Sequence, residues 1–368
     1  MTRTGTVMLS QTQGEFLTLH ELVKAARGRL SKNIWDYLIG GTETETTVRR
    51  NRRALDSVAF RPRVLRDVSK IDCSIELFGR RIRLPVALAP VGSLESFEAG
   101  GGATVAAAAA EFGVPMFLSS VTKPGLEATA KAAPNALRIF QLYVRGGDAF
   151  IDDHVRRAID AGYRAFCITV DTAIYSRRER DIASRFVKPW RTAATGFDFQ
   201  AGLNWDHVKR FKDKWDIPLI LKGIATAEDA ALACEHGVAA VYASNHGGRQ
   251  LDHGRGSFDV LPEIVEAVGG RAKVFVDGAF CRGTDVIKAI AMGADLVCIG
   301  RLYLYGLAAA GQAGVVRVLE LLQTEINASL GLLGVDGFAK LDKSYLHKAE
   351  PVRMPHVHSA FPLIEEGY

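Results

Sequence analysis

From residue 83 onward the chain alternates between two hydrophobic rhythms. Short, nearly unbroken apolar runs follow turn residues, and each gives way to sequence with helical spacing. The runs are LPVALAP (84–90), VPMFLSS (114–120), LRIFQLYV (137–144), AFCITVDT (165–172), PLILKG (218–223), AAVYASNH (239–246), AKVFVDGA (272–279) and DLVCIGR (295–301). Segments between them, such as GGGATVAAAAAEFG, AFIDDHVRRAIDAG, AEDAALACEHG and GTDVIKAIAMG, end on a glycine, the residue that most easily takes the left-handed turn closing a helix. Strands apolar on both faces belong to a parallel sheet covered by helices. Eight strand–helix units predict a closed (β/α)8 TIM barrel, with an open doubly wound sheet as the alternative.

Upstream of residue 83 the pattern is helical. Thr18-Leu19-His20-Glu21 has the T-x-x-E form of a capping box and predicts a helix start. Ser31 is a second N-cap, with Ile34, Trp35 and Leu38 on one face until Gly40-Gly41 stop the helix. A third helix is expected between Thr42 and Val58. The organisation predicted is a flexible N-terminus (1–15), one domain (16–341, barrel from about 83) and a tail (342–368) carrying Pro351, Pro355 and Pro362.

A barrel of this kind gathers its chemistry at the carboxyl ends of its strands. The ends read, in order, Gly92; Ser119; Gln141 and Tyr143; Thr169 and Asp171; Lys222; Ser244 and His246; Asp277; Gly300 and Arg301, whereas the strand starts are mostly Val, Ile, Leu, Phe and Ala. The loops after the seventh and eighth strands, Asp277-Gly278-Ala279-Phe280-Cys281-Arg282-Gly283-Thr284 and Gly300-Arg301, combine small residues with arginines and suit a phosphate. Lys222 at a buried strand end needs an anionic or electron-rich neighbour; a Schiff-base lysine and a cation beside a cofactor are both open readings. His246 suits a base near neutral pH, and Asp171 can fix its tautomer and stabilise the imidazolium. Arg178 and Arg249 can hold a carboxylate by paired hydrogen bonds, while for two of Arg177, Arg178 and Arg180 a solvated charged face is the expectation.

Composition narrows the class without naming it. With 48% hydrophobic and 24% charged residues the chain is globular. Its net charge of +5 is spread out rather than gathered in a basic block, so no nucleic-acid role is expected. Five cysteines without a CxxC pair suit reduced thiols, and no metal-ligand set stands out. No signal-peptide core and no run of about 18 apolar residues is apparent, so no membrane span and a cytoplasmic location are expected.

The stretch SNHGGRQLD, together with FQLYV, TVDT, RRER, LKGI and IGR, resembles the FMN-dependent 2-hydroxy acid oxidase and dehydrogenase family, over roughly Leu17 to Leu333. The resemblance implies FMN as cofactor and oxidation of an L-2-hydroxy acid to the 2-oxo acid. It implies His246 as base with Asp171 behind it, and Arg178 and Arg249 on the substrate carboxylate. Tyr37 and Tyr143 would bind substrate, so the N-terminal helical segment would lie over the barrel mouth. Lys222 would stand beside the flavin, and Ser119, Gln141, Thr169 and Ser244 would bond it or line its site. Pro90-Val91-Gly92 would run along the ring, Asp277 hold the ribityl chain, and the 278–281 loop with Gly300-Arg301 the phosphate. Oxygen or another acceptor would reoxidise the flavin, and a homo-oligomer of four or eight subunits is implied.

Three departures from the family pattern bear on specificity. Cys281 stands where the family's D-G-G-x-R-R-G motif has its first arginine, leaving the phosphate to Arg301, backbone N–H groups and Arg282. Val121 replaces the tryptophan of glycolate oxidases and Gly92 a frequent alanine, which predicts a pocket for a longer, bulky or aromatic acid, mandelate-like or lactate, rather than glycolate. The stretch between Arg185 and Ile217 is short, with Trp190, Phe197 and Trp205 suggesting a lid. Oxidative decarboxylation of the lactate 2-monooxygenase type and an FMN-barrel isomerase are the alternatives; a base with two carboxylate clamps speaks against the isomerase.

Overall fold

The computed structural model describes residues 14–192 and 194–368; the expected flexible N-terminus lies, but for its last two residues, outside these. Eight parallel strands close into a barrel: β1 (Val86–Leu88), β2 (Met116–Ser119), β3 (Arg138–Leu142), β4 (Ala165–Thr169), β5 (Leu219–Ile224), β6 (Ala240–Ala243), β7 (Lys273–Val276) and β8 (Leu296–Ile299). Each predicted run holds one strand, β5 reaching one residue past its run. The last strand pairs with the first, Ile299 opposite Leu88, so no edge is left open.

Strand alternation sorts side chains into two cores. Phe117, Ile139, Cys167, Ile220, Tyr242, Phe275 and Cys298 point inward and fill the barrel, while a hairpin of Ile75–Leu77 and Arg80–Ile82 seals one end with Leu77 and Ile82. Their neighbours Leu118, Phe140, Phe166, Leu221, Val241 and Val297 point outward into the larger core beneath the helices. Of the cysteines, all five are free.

The N-terminal segment forms α1 (Leu19–Arg29), α2 (Lys32–Ile39) and α3 (Thr46–Asp56). Glu21 accepts from the Thr18 N–H at 2.8 Å, and Ser31 Oγ from the Ile34 N–H at 3.4 Å, as their positions predict. The third helix is shorter than the sequence suggests, because Glu43 and Glu45 take left-handed backbone angles and Thr44 is held by Asp252. Arg52 of α3 makes a bidentate pair with Asp285 at 2.7 and 2.8 Å, both side chains buried.

The helix Arg301–Leu333 is, by length and composition, apolar enough to cross a membrane, which the sequence reading did not expect. It lies instead as a core helix, two thirds of that stretch buried, and kinks at Ala310-Gly311. Beyond it, Leu346–Lys348 pairs antiparallel with Val58–Phe60. The chain then returns towards α2: His358 stacks on Trp35 at 5.5 Å, and Phe361 is fully buried beside His20 and Tyr305.

Candidate functional site

At the carboxyl end of the barrel a cavity is lined by Tyr37, Pro90, Val91, Gly92, Tyr143, Arg178, Lys222, His246, Arg249, the Asp277–Cys281 loop, Gly300 and Arg301. Ser119, Gln141, Thr169 and Ser244 lie fully buried at the strand ends, and Asp171 sits behind His246. These residues therefore converge on one end of one barrel.

The histidine is held from both sides. Its Nδ1 lies 3.1 Å from an Asp171 carboxylate oxygen and its Nε2 3.1 Å from the Tyr143 hydroxyl. A carboxylate only accepts, so Nδ1 carries the proton and Nε2 is the basic nitrogen. Burial lowers the His246 pKa below 6.5; Asp171 opposes this, while Lys222 and Arg178 reinforce it. Burial would raise the Asp171 carboxyl, but His246 and Lys222 more than offset it and keep the group ionised. The His246 backbone is itself left-handed, at φ 60°, a strained conformation that aims the ring into the cavity.

Lys222 is 3% exposed, with its ammonium 3.1 Å from Ser244 Oγ and 3.5 Å from Asp277. Burial alone would favour the neutral amine, yet Asp277 and Asp171 hold its pKa above the ordinary lysine value. Ser244 also donates to Asp277 at 2.7 Å, so the carboxylate expected to meet a ribityl chain already organises the ammonium.

The arginines have tasks that the sequence did not reveal. Arg249 donates to the Tyr37 and Leu38 carbonyls and lies 4.8 Å from the Tyr37 ring centre. Two of a guanidinium's five N–H donors are so used, leaving others for a carboxylate. Arg301 donates to Leu38, Gly40 and Gly247 carbonyls at 2.8–3.1 Å and so ties the end of α2 to the barrel. Tyr37 in turn donates its hydroxyl to the Gly92 carbonyl at 2.9 Å. Burial, Arg178 and Arg301 push Arg249 down to about 10. Such crowding of cations needs an anion.

One expectation is corrected. Arg282 does not face the cavity, because Glu325 of the last long helix captures it at 2.6 Å and the Ala360 carbonyl takes another of its donors. Cys281 does line the cavity, and burial pushes its thiol up to about 12, so it contributes no charge. Ala279 adopts φ 64°, the conformation that a glycine in the family motif takes without strain.

Sequence reasoning missed Asn51, Phe97 and Val357, all in the cavity wall. Asn51 exchanges hydrogen bonds with Asn245 at 2.7 and 2.9 Å. Inside TTVRRNRR it reads as one more solvated polar residue, and only the docking of α3 buries it. Trp190, suspected of belonging to a lid, reaches the cavity: its indole nitrogen is 3.7 Å from where a Cβ on Gly92 would stand, and Val121 is 2.8 Å from that point.

These residues fit FMN. The Gln141 amide nitrogen donates to Thr169 at 2.8 Å, while its buried oxygen has no partner among the described residues, an acceptor waiting for a ring N–H. Lys222 supplies a buried cation, and the helix beginning at Arg301 places its N-terminus beside Gly300, where a Cβ would meet open space.

Comparison with known proteins agrees. Residues 26–348 match the family model described as FMN-dependent dehydrogenase. The chain is 38% identical to the L-lactate oxidase of Nostoc sp. over 90% of its length and 98% of that protein's. It is 38% identical to glycolate oxidase 1 of Zea mays, over 90% and 96% respectively. Among solved structures, mandelate oxidase with (S)-2-phenylpropionate superposes with a TM-score of 0.84 at 40% identity, covering 92% of this chain and all of that one.

Proposed function

Because the chain belongs to the FMN-dependent dehydrogenase family, whose oxidase members act on 2-hydroxy acids with FMN, we propose that it oxidises a bulky or aromatic L-2-hydroxy acid to the 2-oxo acid and passes the electrons to oxygen. The observation that carries the reading is His246, clamped between Asp171 and Tyr143 in a cavity shared with Arg178 and Arg249.

FMN, when bound, supplies the two-electron acceptor. The chain's own groups do the rest. Arg178 and Arg249 bind the carboxylate and fix which face of the 2-carbon is presented. His246 Nε2 takes the proton of the 2-hydroxyl, and the ionised Asp171 stabilises the imidazolium through Nδ1–H. Tyr143, now bonded to Nε2, shifts to the substrate oxygen as the hydroxyl takes its place. Lys222 holds positive charge deep in the site and would stabilise negative charge on a reduced cofactor.

Side-chain preference follows from the cavity wall. Gly92 and Val121 take up little of the wall, and the Phe97 and Trp190 rings, the latter beside Gly92, supply apolar surface. A C2 substrate such as glycolate leaves that surface unfilled, whereas an aryl or branched side chain covers it, at about 25 cal/mol per Å². The mandelate oxidase relatives, one of them bound to (S)-mandelic acid, are consistent with this choice.

The test is anaerobic mixing of the yellow protein with glycolate, lactate, mandelate and longer 2-hydroxy acids. Mandelate or a branched acid should bleach the flavin fastest. Bleaching by dithionite but by no 2-hydroxy acid sinks the reaction, and glycolate as the best substrate sinks the side-chain assignment. Peroxide formed in air identifies oxygen as the acceptor.

A further inference from the structure

A second cavity, of about 450 Å³, opens next to the first and shares Arg178 with it. It lies between the loop that carries Tyr175 to Arg178 and the short helical segments around Lys188 and Arg191, and five basic side chains line it: Arg177, Arg178, Arg185, Lys188 and Arg191. Three nearby carboxylates are already paired. Asp181, the acid in the cavity wall, is paired with Lys188 at 2.5 Å. Glu45 is held by Arg180 at 2.5 Å, and Asp36 by Lys32 at 2.6 Å. Among the described residues, the guanidinium groups of Arg177 and Arg185 have no hydrogen-bond or ion-pair partner, and that of Arg191 meets only the Tyr175 ring, at 3.8 Å.

Lys188 shows that the site is built rather than a scatter of surface charge. Its side chain is only 2% exposed, its ammonium is 2.8 Å from the Tyr175 hydroxyl, and it stands 4.7 Å from the centre of the Tyr37 ring. When protonated, it spends two of its three donors on Tyr175 and Asp181, which leaves one for a ligand. Burial, with Arg178 and Arg249 nearby and Asp181 opposing them, pushes the amine down to about 6, so an added anion would favour its protonated form.

We propose that this second cavity is a binding site for a small dianionic oxyacid, a phosphate or a dicarboxylate, and that through Arg178 its occupancy weakens binding of the 2-hydroxy acid in the neighbouring site. Dianions suit it because planar guanidinium forks match oxyanion geometry and one site charge cannot satisfy several of them. The coupling rests on Arg178 also holding the substrate carboxylate, as proposed above; the binding does not. A dianion draws on Arg178's donors and charge, so substrate binding weakens, and by linkage substrate weakens the dianion equally.

The binding arm uses calorimetry on FMN-loaded protein at low ionic strength, titrated separately with inorganic phosphate and succinate. Saturable binding of either is expected, the tighter one identifying the class, and the double variant R185Q/R191Q should weaken it about tenfold or more. No saturable binding, or binding that survives R185Q/R191Q and so belongs to the substrate clamp, overturns the proposal. The kinetic arm measures apparent KM against the tighter dianion. It should rise to a plateau, about fivefold or more, with kcat unchanged and R185Q/R191Q insensitive. A rise without limit means direct competition in the first cavity and overturns the second site. Saturable, variant-sensitive binding with a flat KM keeps the site but removes Arg178 as the link, a failure of the substrate reading rather than of the cavity.

Discussion

At the residue scale, reactivity here is set by which charges share a buried space. His246 is neutral because burial, Lys222 and Arg178 outweigh Asp171, and it can take a proton because Asp171 stays ionised behind it. Substitution His246→Gln keeps the size and a hydrogen bond but no base; the variant should stay yellow and lose flavin bleaching by substrate. A colourless variant would give the histidine a structural role instead. The wild-type pH profile follows from the same balance. A lowered pKa leaves the imidazole neutral, and so basic, to more acid pH than usual. kcat/KM should therefore be level near neutrality and fall as pH drops through a value below 6.5. An acid limb centred above 6.5 would contradict the electrostatic assignment.

At the element scale, the N-terminal helices are part of the site rather than a preface to it. α2 brings Tyr37 and offers its terminal carbonyls to Arg249 and Arg301, and α3 brings Asn51 to Asn245. What fastens α3 is Arg52. Burial would favour its neutral form, but Asp285 and Asp56 keep it charged. Removing one partner of such a pair leaves the other charge buried, so Arg52→Met should cost about 3–5 kcal/mol. Urea unfolding measures it; a loss below about 1 kcal/mol would mean that water reaches Asp285 and the pair fastens nothing.

At the scale of the whole molecule, the C-terminal stretch closes the structure onto itself. Val357 lines the cofactor cavity, His358 covers Trp35, and Phe361 is buried against Tyr305 and His20. Burying a phenylalanine contributes about 1.5–3 kcal/mol, enough to hold a segment with little secondary structure in place. Ending the chain before Pro351 should speed FMN loss, seen as the return of free-flavin fluorescence on dilution. An unchanged loss rate in a folded truncated protein would show that the segment covers the helices without sealing the cavity.

The sequence by itself determined the barrel and the identity of its reactive end. Eight apolar runs admit little but a parallel sheet wrapped by helices, and polar groups at one end of each run mark where chemistry collects. The motif around His246 carried base and carboxylate clamp together because the strand end and its loop are contiguous in the chain. Tertiary structure alone decided the rest. Glu325 turns Arg282 away from the cavity, the docking of α3 buries Asn51 and Arg52, and Trp190 returns bulk beside Gly92 and Val121. Each of these depends on two segments far apart in the chain meeting in space, and a local pattern of polar and apolar residues holds no record of which distant partner it will meet.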